Sequence, residues 1–250
     1  MPDEDAKSAA QAARILELLW RHHLPSTPGA RGPKPGLTVD DVVAAGITLA
    51  DRDGIAKLTI RAVAAELGLR AMSLYTYVPS KDALIVLMVD AVAAADAPIP
   101  ADLPVRDRMI AIAGGLRAEL IAHPWLLEVS PWRQVLGPGR TRRFERQLAA
   151  IDGIGLSDLA MDRAIAVLTD FATGNARLAV AAAGAAAQLS DAQWWEITGP
   201  LLARVMPAGE FPLAGRIGTA AGEHYQAPAD PDGAFDYGVA LLVEGILADV

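Results

Sequence analysis

One short stretch of the chain carries hydroxyl, phenol and cationic side chains suited to contacts with a polyanion. The hydroxyls of Thr59, Tyr75 and Tyr77 can donate hydrogen bonds to phosphate oxygens, and the ammonium of Lys81 can neutralise a phosphate charge. The guanidinium of Arg61 can pair with O6 and N7 of a guanine. These groups predict contact with nucleic acid. A helix-surface salt bridge is the alternative role for Arg61, and a core position is the alternative for Tyr75.

Two short helices joined by a tight turn would present these groups on one side of the chain. Thr59 is a good N-cap for the first helix. Gly68 stands where the chain must turn, because glycine accepts a positive φ without steric cost. The first helix has one apolar face at the spacing i, i+3, i+4 and i+7, formed by Ile60, Val63, Ala64 and Leu67.

The second helix is expected to return some apolar side chains to the shared core and to expose polar and aromatic ones. The expected core residues are Leu69, Met72 and Leu74, and the expected outer residues are Arg70, Ala71, Ser73, Tyr75, Thr76 and Tyr77. Pro79 ends this helix, since the residue before a proline avoids the α conformation. Ser80 then caps the next helix, with Lys81 and Asp82 in its first turn. An ordinary helical hairpin is the alternative interpretation.

The stretch resembles the DNA-binding domain of the TetR family of transcriptional regulators. The family pattern has a first helix, an acidic connection ending in glycine, the helix-turn-helix, an aromatic run and a Ser-Lys pair. The corresponding segments here are residues 37–50, 51–54, 59–74, 74–78 and 80–81. The rest of the chain resembles the tetracycline-repressor-like branch more loosely, through its length and helical layout.

The resemblance implies a ligand-responsive repressor that binds a palindromic DNA operator as a homodimer and is released by a small-molecule inducer. The DNA-facing positions that match the family are Arg61, Ala71, Ser73, Tyr75, Thr76 and Tyr77. Thr59 and Lys81 complete the predicted contacts. Ala71 and Ser73 are short, so base readout by the second helix should be modest. The alternatives are an activator of the same family and a helical protein-interaction module without DNA binding.

The excess of acidic over basic residues lies outside the predicted DNA-binding stretch. The net charge is −8 at pH 7, but residues 1–82 balance 10 Lys/Arg against 10 Asp/Glu, and residues 83–250 carry the whole excess. Residues 31–81 are weakly basic, at +2. Since phosphate neutralisation supplies much of DNA affinity, a domain this weakly basic is expected to need a second copy to bind well.

Residues 1–36 are expected to form an extension before the DNA-binding domain. Residues 11–24 have the apolar spacing of a helix, and residues 25–36 are a Pro/Gly linker that cannot be helical. A basic arm at Arg31 and Lys34 can reach the minor groove or flanking phosphates. A solvated linker is an alternative of equal weight.

The remaining chain is expected to be helical throughout, so the predicted fold class is all-α. The predicted domains are the extension (1–36), a three-helix helix-turn-helix DNA-binding domain (37–82) and a larger ligand-binding and dimerisation domain (83–250). Family members dimerise through their last long helices, which here would be residues 158–188 and 232–250. Burial of the Ala-rich first helix within one chain is the alternative.

Two local expectations concern the larger domain. The sequence pattern of residues 211–229 is ambiguous, and this segment is expected to be loop-rich. The arginines of the helix at residues 139–151 are expected on solvated faces; they are Arg140, Arg142, Arg143 and Arg146.

The helix at residues 80–95 begins at the DNA-facing Lys81 and ends in the larger domain, so it is expected to carry a ligand signal to the DNA.

A helical domain with more apolar surface than its packing needs can enclose a ligand pocket. The candidate lining residues are Met109, Ile112, Leu116, Trp132, Phe144, Phe171, Asn175 and Trp194, each with core packing as the alternative. The chain has no cysteine, and its four histidines show no ligand spacing, so neither a structural metal nor a cofactor is expected besides the effector. The tetracycline-binding branch uses magnesium, which leaves room for a metal that enters with the ligand.

Other function classes find little support in the sequence. It contains no Ser-His-Asp arrangement, nucleophile elbow, phosphate-binding glycine loop or HExxH motif, so an enzyme is not expected. The longest plain apolar run has ten residues, at 178–187, whereas a membrane-spanning helix needs about 20. The acidic N-terminus lacks the apolar region of a signal peptide. A cytoplasmic protein without a membrane partner is expected.

Overall fold

The structure, a computed structural model, describes residues 2–25, 36–132, 135–207, 209–248 and 250, and of residues 2–8 the backbone alone. Within this part of the chain it contains eleven α-helices, one 3₁₀ helix and no strand, which confirms the all-α prediction. The first five helices are α1 (Pro2–Leu19), α2 (Val39–Asp53), α3 (Ile60–Glu66), α4 (Ala71–Leu74) and α5 (Lys81–Ala94). The later elements are α6 (Val105–Ala122), the 3₁₀ helix (Pro124–Glu128), α7 (Pro138–Ile151), α8 (Asp158–Ala186), α9 (Asp191–Val205), α10 (Pro212–Tyr225) and α11 (Pro231–Leu247).

Hydroxyl caps set where many of these helices begin, as the sequence predicted. The hydroxyl oxygen of Thr59 accepts a hydrogen bond from the backbone N–H of Ala62 at 3.1 Å, and that of Ser80 accepts from Ala83 at 3.1 Å. Thr38 and Asp41 cap α2 reciprocally. Each cap satisfies a backbone donor that has no partner inside its own helix.

The first five helices share one hydrophobic core, which we call the head core. Its fully buried side chains include Leu58, Val63, Leu74, Leu84 and Met88. Helix α5 packs closely on α2 at Gly46, where a Cβ atom would lie 2.9 Å from the sulfur of Met88. Helix α5 is therefore part of the head core along most of its length, where it packs on α1 and α2.

Helices α6, α7, α8 and α11 enclose a second core, the body core. Met109, Ile151, Leu168 and Val243 are completely buried there. The rings of Phe171 and Phe235 stack at its edge with 5.6 Å between centroids. The head core and the body core together place α7 and the 3₁₀ helix between them.

Two sequence predictions for the body are wrong. Residues 212–225 form helix α10 rather than a loop. Their glycines lower helix propensity, but Gly222 lets the helix pack against the indole of Trp195, where a Cβ atom would come within 3.1 Å. The arginines of α7 do not all lie on solvated faces, because Arg143 is largely buried beside Glu119 and Asp96.

Candidate DNA interface and effector cavity

A glycine turn joins the two helices of the predicted DNA-binding motif. Gly68 has a φ of +67°, as expected, and the backbone N–H of Leu69 donates to the carbonyl of Ala64 at 2.8 Å. The second helix, α4, is shorter than expected because it ends at Leu74. The chain then continues in turns, in which the N–H groups of Tyr77 and Val78 both donate to the carbonyl of Leu74.

Most of the predicted DNA-contact residues are accessible. Thr59, Arg61, Ser73, Tyr75 and Thr76 are exposed, while Ala71, Tyr77 and Lys81 are half-buried. Tyr75 is 44% exposed, which rules out the alternative that it is a core residue. Among the described residues Arg61 has no ion-pair partner, so its guanidinium is available to a ligand.

Intramolecular hydrogen bonds orient three of these side chains. Thr59 accepts through its oxygen, so its hydroxyl hydrogen stays available for a phosphate. Thr76 instead donates its hydroxyl to the carbonyl of Ser73 at 2.7 Å. The ammonium of Lys81 donates to the carbonyl of Ile55 at 3.1 Å and keeps two further N–H groups. This bond also holds the first turn of α5 against the connection that precedes α3.

Met72 does not return to the core as predicted, because it is 76% exposed. Leu74 is the buried anchor of α4, and a residue two positions away lies about 200° around a helix of 3.6 residues per turn. Met72 therefore points away from the core and extends the exposed outer face of α4. The predicted arm residues Arg31 and Lys34 lie outside the described residues, and their role stays a prediction.

A cavity of about 770 Å³ lies between α6, α7, α8 and the 3₁₀ helix. Its volume falls in the usual range for sites that hold small organic molecules. Apolar side chains form much of its wall: Leu116, Leu120, Leu126, Phe144 and Ile165. Polar side chains interrupt that wall at Arg143, Gln147, Thr169, Thr173 and Arg177. An apolar body with a few polar groups is the kind of ligand that matches this lining.

Arg143 separates the large cavity from a second one of about 140 Å³. Its guanidinium donates to Glu119 at 2.9 Å and lies 3.3 Å from a carboxylate oxygen of Asp96. Both carboxylates are themselves mostly buried. The guanidinium is therefore fixed before any ligand enters, and a ligand finds a rigid, charge-balanced wall there.

Gln147 is the polar residue that sequence reasoning missed. It is only 7% exposed and lines both cavities. Among the described residues its amide has no hydrogen-bond partner, and its polar atoms are not among those fully shielded from solvent. Its amide therefore offers a donor and an acceptor to a bound molecule. The signal was present in the sequence, because Gln147 lies one helical turn before the buried Ile151.

Arg140 adds a second desolvated cation to the wall of the large cavity. Burial lowers the pKa of its guanidinium, the charge of Asp90 opposes that shift, and the nearby Arg143 adds to it. An oxygen-rich or anionic ligand group would be attracted to this cation.

The predicted ligand residues are only partly brought together. Leu116 and Phe144 line the large cavity, and Ile112 and Leu116 line the small one. Met109 is instead a fully buried core residue, and Asn175 is engaged by Arg117 and by the carbonyl of Pro231. Phe171 and Trp194 stack on other rings, and Trp132 is 79% exposed, so these three lie outside both cavity walls.

The head and the body meet at a carboxylate. Asp51, on α2, accepts a hydrogen bond from the indole N–H of Trp125 at 2.7 Å and contacts Nδ1 of His123 at 2.7 Å. Trp125 belongs to the 3₁₀ helix and is buried in the head core. The next residue, Leu126, lines the large cavity. The cavity wall is therefore one residue away from a contact with the head.

Two further features concern metals and membranes. The part of the chain that the structure describes contains no group of three or more His, Cys, Asp or Glu side chains that could hold a metal ion. Within the same residues no helix is long and apolar enough to span a bilayer.

Two family profiles together match most of the chain. The profile of "Bacterial regulatory proteins, tetR family" matches residues 42–88, which include the helix-turn-helix. The profile "Tetracyclin repressor-like, C-terminal domain" matches residues 98–250.

Individual relatives agree with the profiles. The HTH-type transcriptional repressor DrrR1 of Streptomyces coeruleorubidus is 39% identical over 223 residues, which cover 84% of this chain and 78% of that protein. An HTH-type transcriptional regulator of Saccharopolyspora erythraea is 34% identical over 143 residues, or 57% of this chain and 61% of that protein. The crystal structure of the Streptomyces coelicolor TetR family protein ActR in complex with actinorhodin superimposes with a TM-score of 0.71 at 25% identity, covering 86% of this chain and 98% of that chain.

Proposed function

Because the chain belongs to the TetR family of bacterial transcriptional regulators, we propose that it represses target genes by binding a palindromic operator as a homodimer. As a DNA-binding regulator it is not an enzyme. The name of its relative DrrR1 supports repression rather than activation. Its place of action is the cytoplasm, where bacterial operators are found.

The exposed outer face of α3 and α4 carries the proposal for DNA binding. Arg61, Ser73 and Tyr75 stand clear of the head core, and Lys81 keeps spare donors beside them. Arg61 reads a guanine edge, while the hydroxyls and the ammonium position the head on phosphates. Met72 adds an apolar contact suited to a thymine methyl group.

A second copy is needed because one head is only weakly basic. Exposed apolar side chains on α8 and α11 support these helices as the dimer interface; they include Leu159, Val167, Leu178, Tyr237 and Leu241. Two heads would then meet successive major grooves of a palindrome.

Selection of bound sequences from a random duplex pool tests the DNA proposal. The expected product is a palindrome, and Arg61→Ala should weaken binding to it by about 1–3 kcal/mol and relax one base preference. Arg204→Ala, which removes an exposed arginine from α9, is the matched control. Tyr77→Phe tests a phosphate contact without disturbing the half-buried ring. A chain that enriches no sequence, yet still dimerises, would support the interaction module instead.

The second part of the proposal is release by a small molecule. The large cavity carries it, since an apolar body fits its leucine and phenylalanine wall while the amide of Gln147 and the guanidinium of Arg140 receive polar groups. ActR binds actinorhodin, so actinorhodin is a suitable first probe for this chain. We infer that no resident metal is required, because the proposed ligand contacts are guanidinium, amide and hydroxyl groups.

Titration of the selected operator complex with actinorhodin tests release. Binding to the free protein and loss of the operator complex over the same concentration range would support an inducer of this class. Both should persist in EDTA. Binding without release would contradict an inducer role for this compound.

Release requires that the cavity and the head influence each other. Two contacts support such coupling: Asp51 with the 3₁₀ helix, and α5, which runs from the DNA-facing Lys81 towards the body. Coupling of this kind usually amounts to about 1–3 kcal/mol.

A further inference from the structure

The N-terminal segment lies outside both family profiles, the first of which begins at residue 42. We call residues 15–23 the strap. Ile15 and Leu19 are buried in the head core, against α5. Part of the predicted N-terminal extension is therefore packed into the DNA-binding domain.

A second contact attaches the strap to the start of α2. The guanidinium of Arg21 pairs with the carboxylate of Asp40, and Nε2 of His22 lies 3.1 Å from the same carboxylate. Burial alone would raise the pKa of Asp40, but Arg21 and His22 outweigh it and hold that pKa below its ordinary value. Arg21 also donates to the carbonyl of Leu18 at 2.6 Å, which fixes its direction.

The residues on either side of this pair contact the body instead. The indole N–H of Trp20 donates to the carbonyl of Leu136 at 3.1 Å. Nε2 of His23 lies 2.9 Å from a guanidinium nitrogen of Arg142, and the rings of Trp20 and His23 meet edge to face at 5.3 Å. Leu136 lines the large cavity. The strap thus contacts the cavity wall through Trp20 and the head through the next residue, Arg21.

We propose that the strap transmits movement of the cavity wall at Leu136 to the DNA-binding head at Asp40. Since Trp20 and Arg21 are adjacent in the chain, the contact with Leu136 and the contact with Asp40 cannot move far apart. A displacement of the wall that moves Leu136 therefore moves the first turn of α2. This proposal rests on the proposed function, because binding of the effector is the event that would displace the cavity wall.

Pulsed electron spin resonance on the full chain tests the mechanical part without DNA or effector. The sequence has no cysteine, so nitroxide labels at Met72→Cys in the head and Asp107→Cys on α6 are unique. An excess of unlabelled chain confines the measured pairs to single chains. The parent should give a narrow distance distribution, and Trp20→Phe with Arg21→Gln should broaden it. Arg14→Gln removes an exposed arginine from α1, just before the strap, and should leave the distance distribution unchanged.

A bulky wall residue tests transmission. Thr141 lines the cavity on α7, so Thr141→Trp mimics an occupied site. It should shift the distance between the labels in the parent, and the shift should be smaller when Trp20 and Arg21 are replaced. No shift in the parent, or an undiminished shift in the strap variant, would overturn the proposal.

Folding of the variants is checked by circular dichroism. If the double variant loses helix, Trp20→Phe alone decides the matter, because it keeps an aromatic ring at this position and removes the indole N–H donor. An unchanged distance distribution in that variant would also overturn the proposal. Failure of the proposed function would appear separately, as a chain that selects no operator.

Discussion

Asp90 is predicted to be among the most important polar residues for stability. It lies on α5 with only 7% of its surface exposed. Its carboxylate accepts hydrogen bonds from the backbone N–H of Gly139 at 3.0 Å and of Arg140 at 2.9 Å. It thereby caps α7 from another helix, and joins the head core to the cavity wall.

The expected loss follows from these two bonds. A hydrogen bond to a charged group contributes about 1.5–3 kcal/mol, so Asp90→Ala should lower the free energy of unfolding by roughly 3–5 kcal/mol. Asp90→Asn keeps one acceptor oxygen and should lose about half of that. Relaxation cannot bring a substitute acceptor closer, because the backbones already touch: a Cβ atom on Gly139 would lie 2.0 Å from the carbonyl oxygen of Asp90.

Urea unfolding at a fixed protein concentration, followed by far-ultraviolet circular dichroism, measures the effect. Asp82→Ala is the control, since Asp82 is an exposed carboxylate in the first turn of the same helix. Removing it should cost at most about 1 kcal/mol through the helix dipole. A loss below about 1 kcal/mol for Asp90→Ala, with an unchanged urea slope, would refute the reasoning, because solvent would then satisfy the N–H groups of α7 equally well.

Three further predictions follow from the same contacts. Gln147→Leu replaces the amide with an apolar side chain of similar volume, so it should weaken the binding of a small molecule that occupies the cavity roughly 3–10-fold in calorimetry without changing operator affinity. Ser80→Ala removes the cap of α5 and should lower the free energy of unfolding by about 1 kcal/mol. The hydrogen bonds of Thr38 hold the pKa of Asp41 below its ordinary value of 3.8, so their stabilisation is present above that pH and is lost as the pH falls through the folded-state pKa. The urea midpoint of Thr38→Ala should accordingly depend less on pH in acid than that of the parent.

The local features of the fold were predictable from sequence because they depend on neighbours in the chain. Thr59 and Ser80 cap the helices that follow them, and Gly68 takes the positive φ that its turn requires. Helix α6 has the predicted bounds. Met72 was misplaced because its helix has only four residues, too few for a periodic pattern to show which side is buried.

The candidate effector site was much less predictable, because tertiary packing decides which side chains reach a cavity. Met109 and Leu116 share a helix and are both apolar, yet only Leu116 lines the cavity wall. Gln147 was overlooked because a polar residue on a helix is usually solvated. Its position one helical turn before the apolar Ile151 indicated the inner face of α7, but its burial also depends on the approach of α6 and α8 to that helix.

Asp40, Asp51 and Asp90 show how the head and the cavity wall could act as one unit. Asp51 and Asp90 lie on helices of the head core and accept hydrogen bonds from Trp125 and from the start of α7, both next to residues of the cavity wall. Asp40 receives Arg21 of the strap, whose neighbour Trp20 contacts the same wall. Because the contacts act in parallel, an effector that weakens one leaves the head held by the others. Replacing Asp51 and Trp20 together should therefore reduce operator release by more than the sum of the effects of the two single replacements.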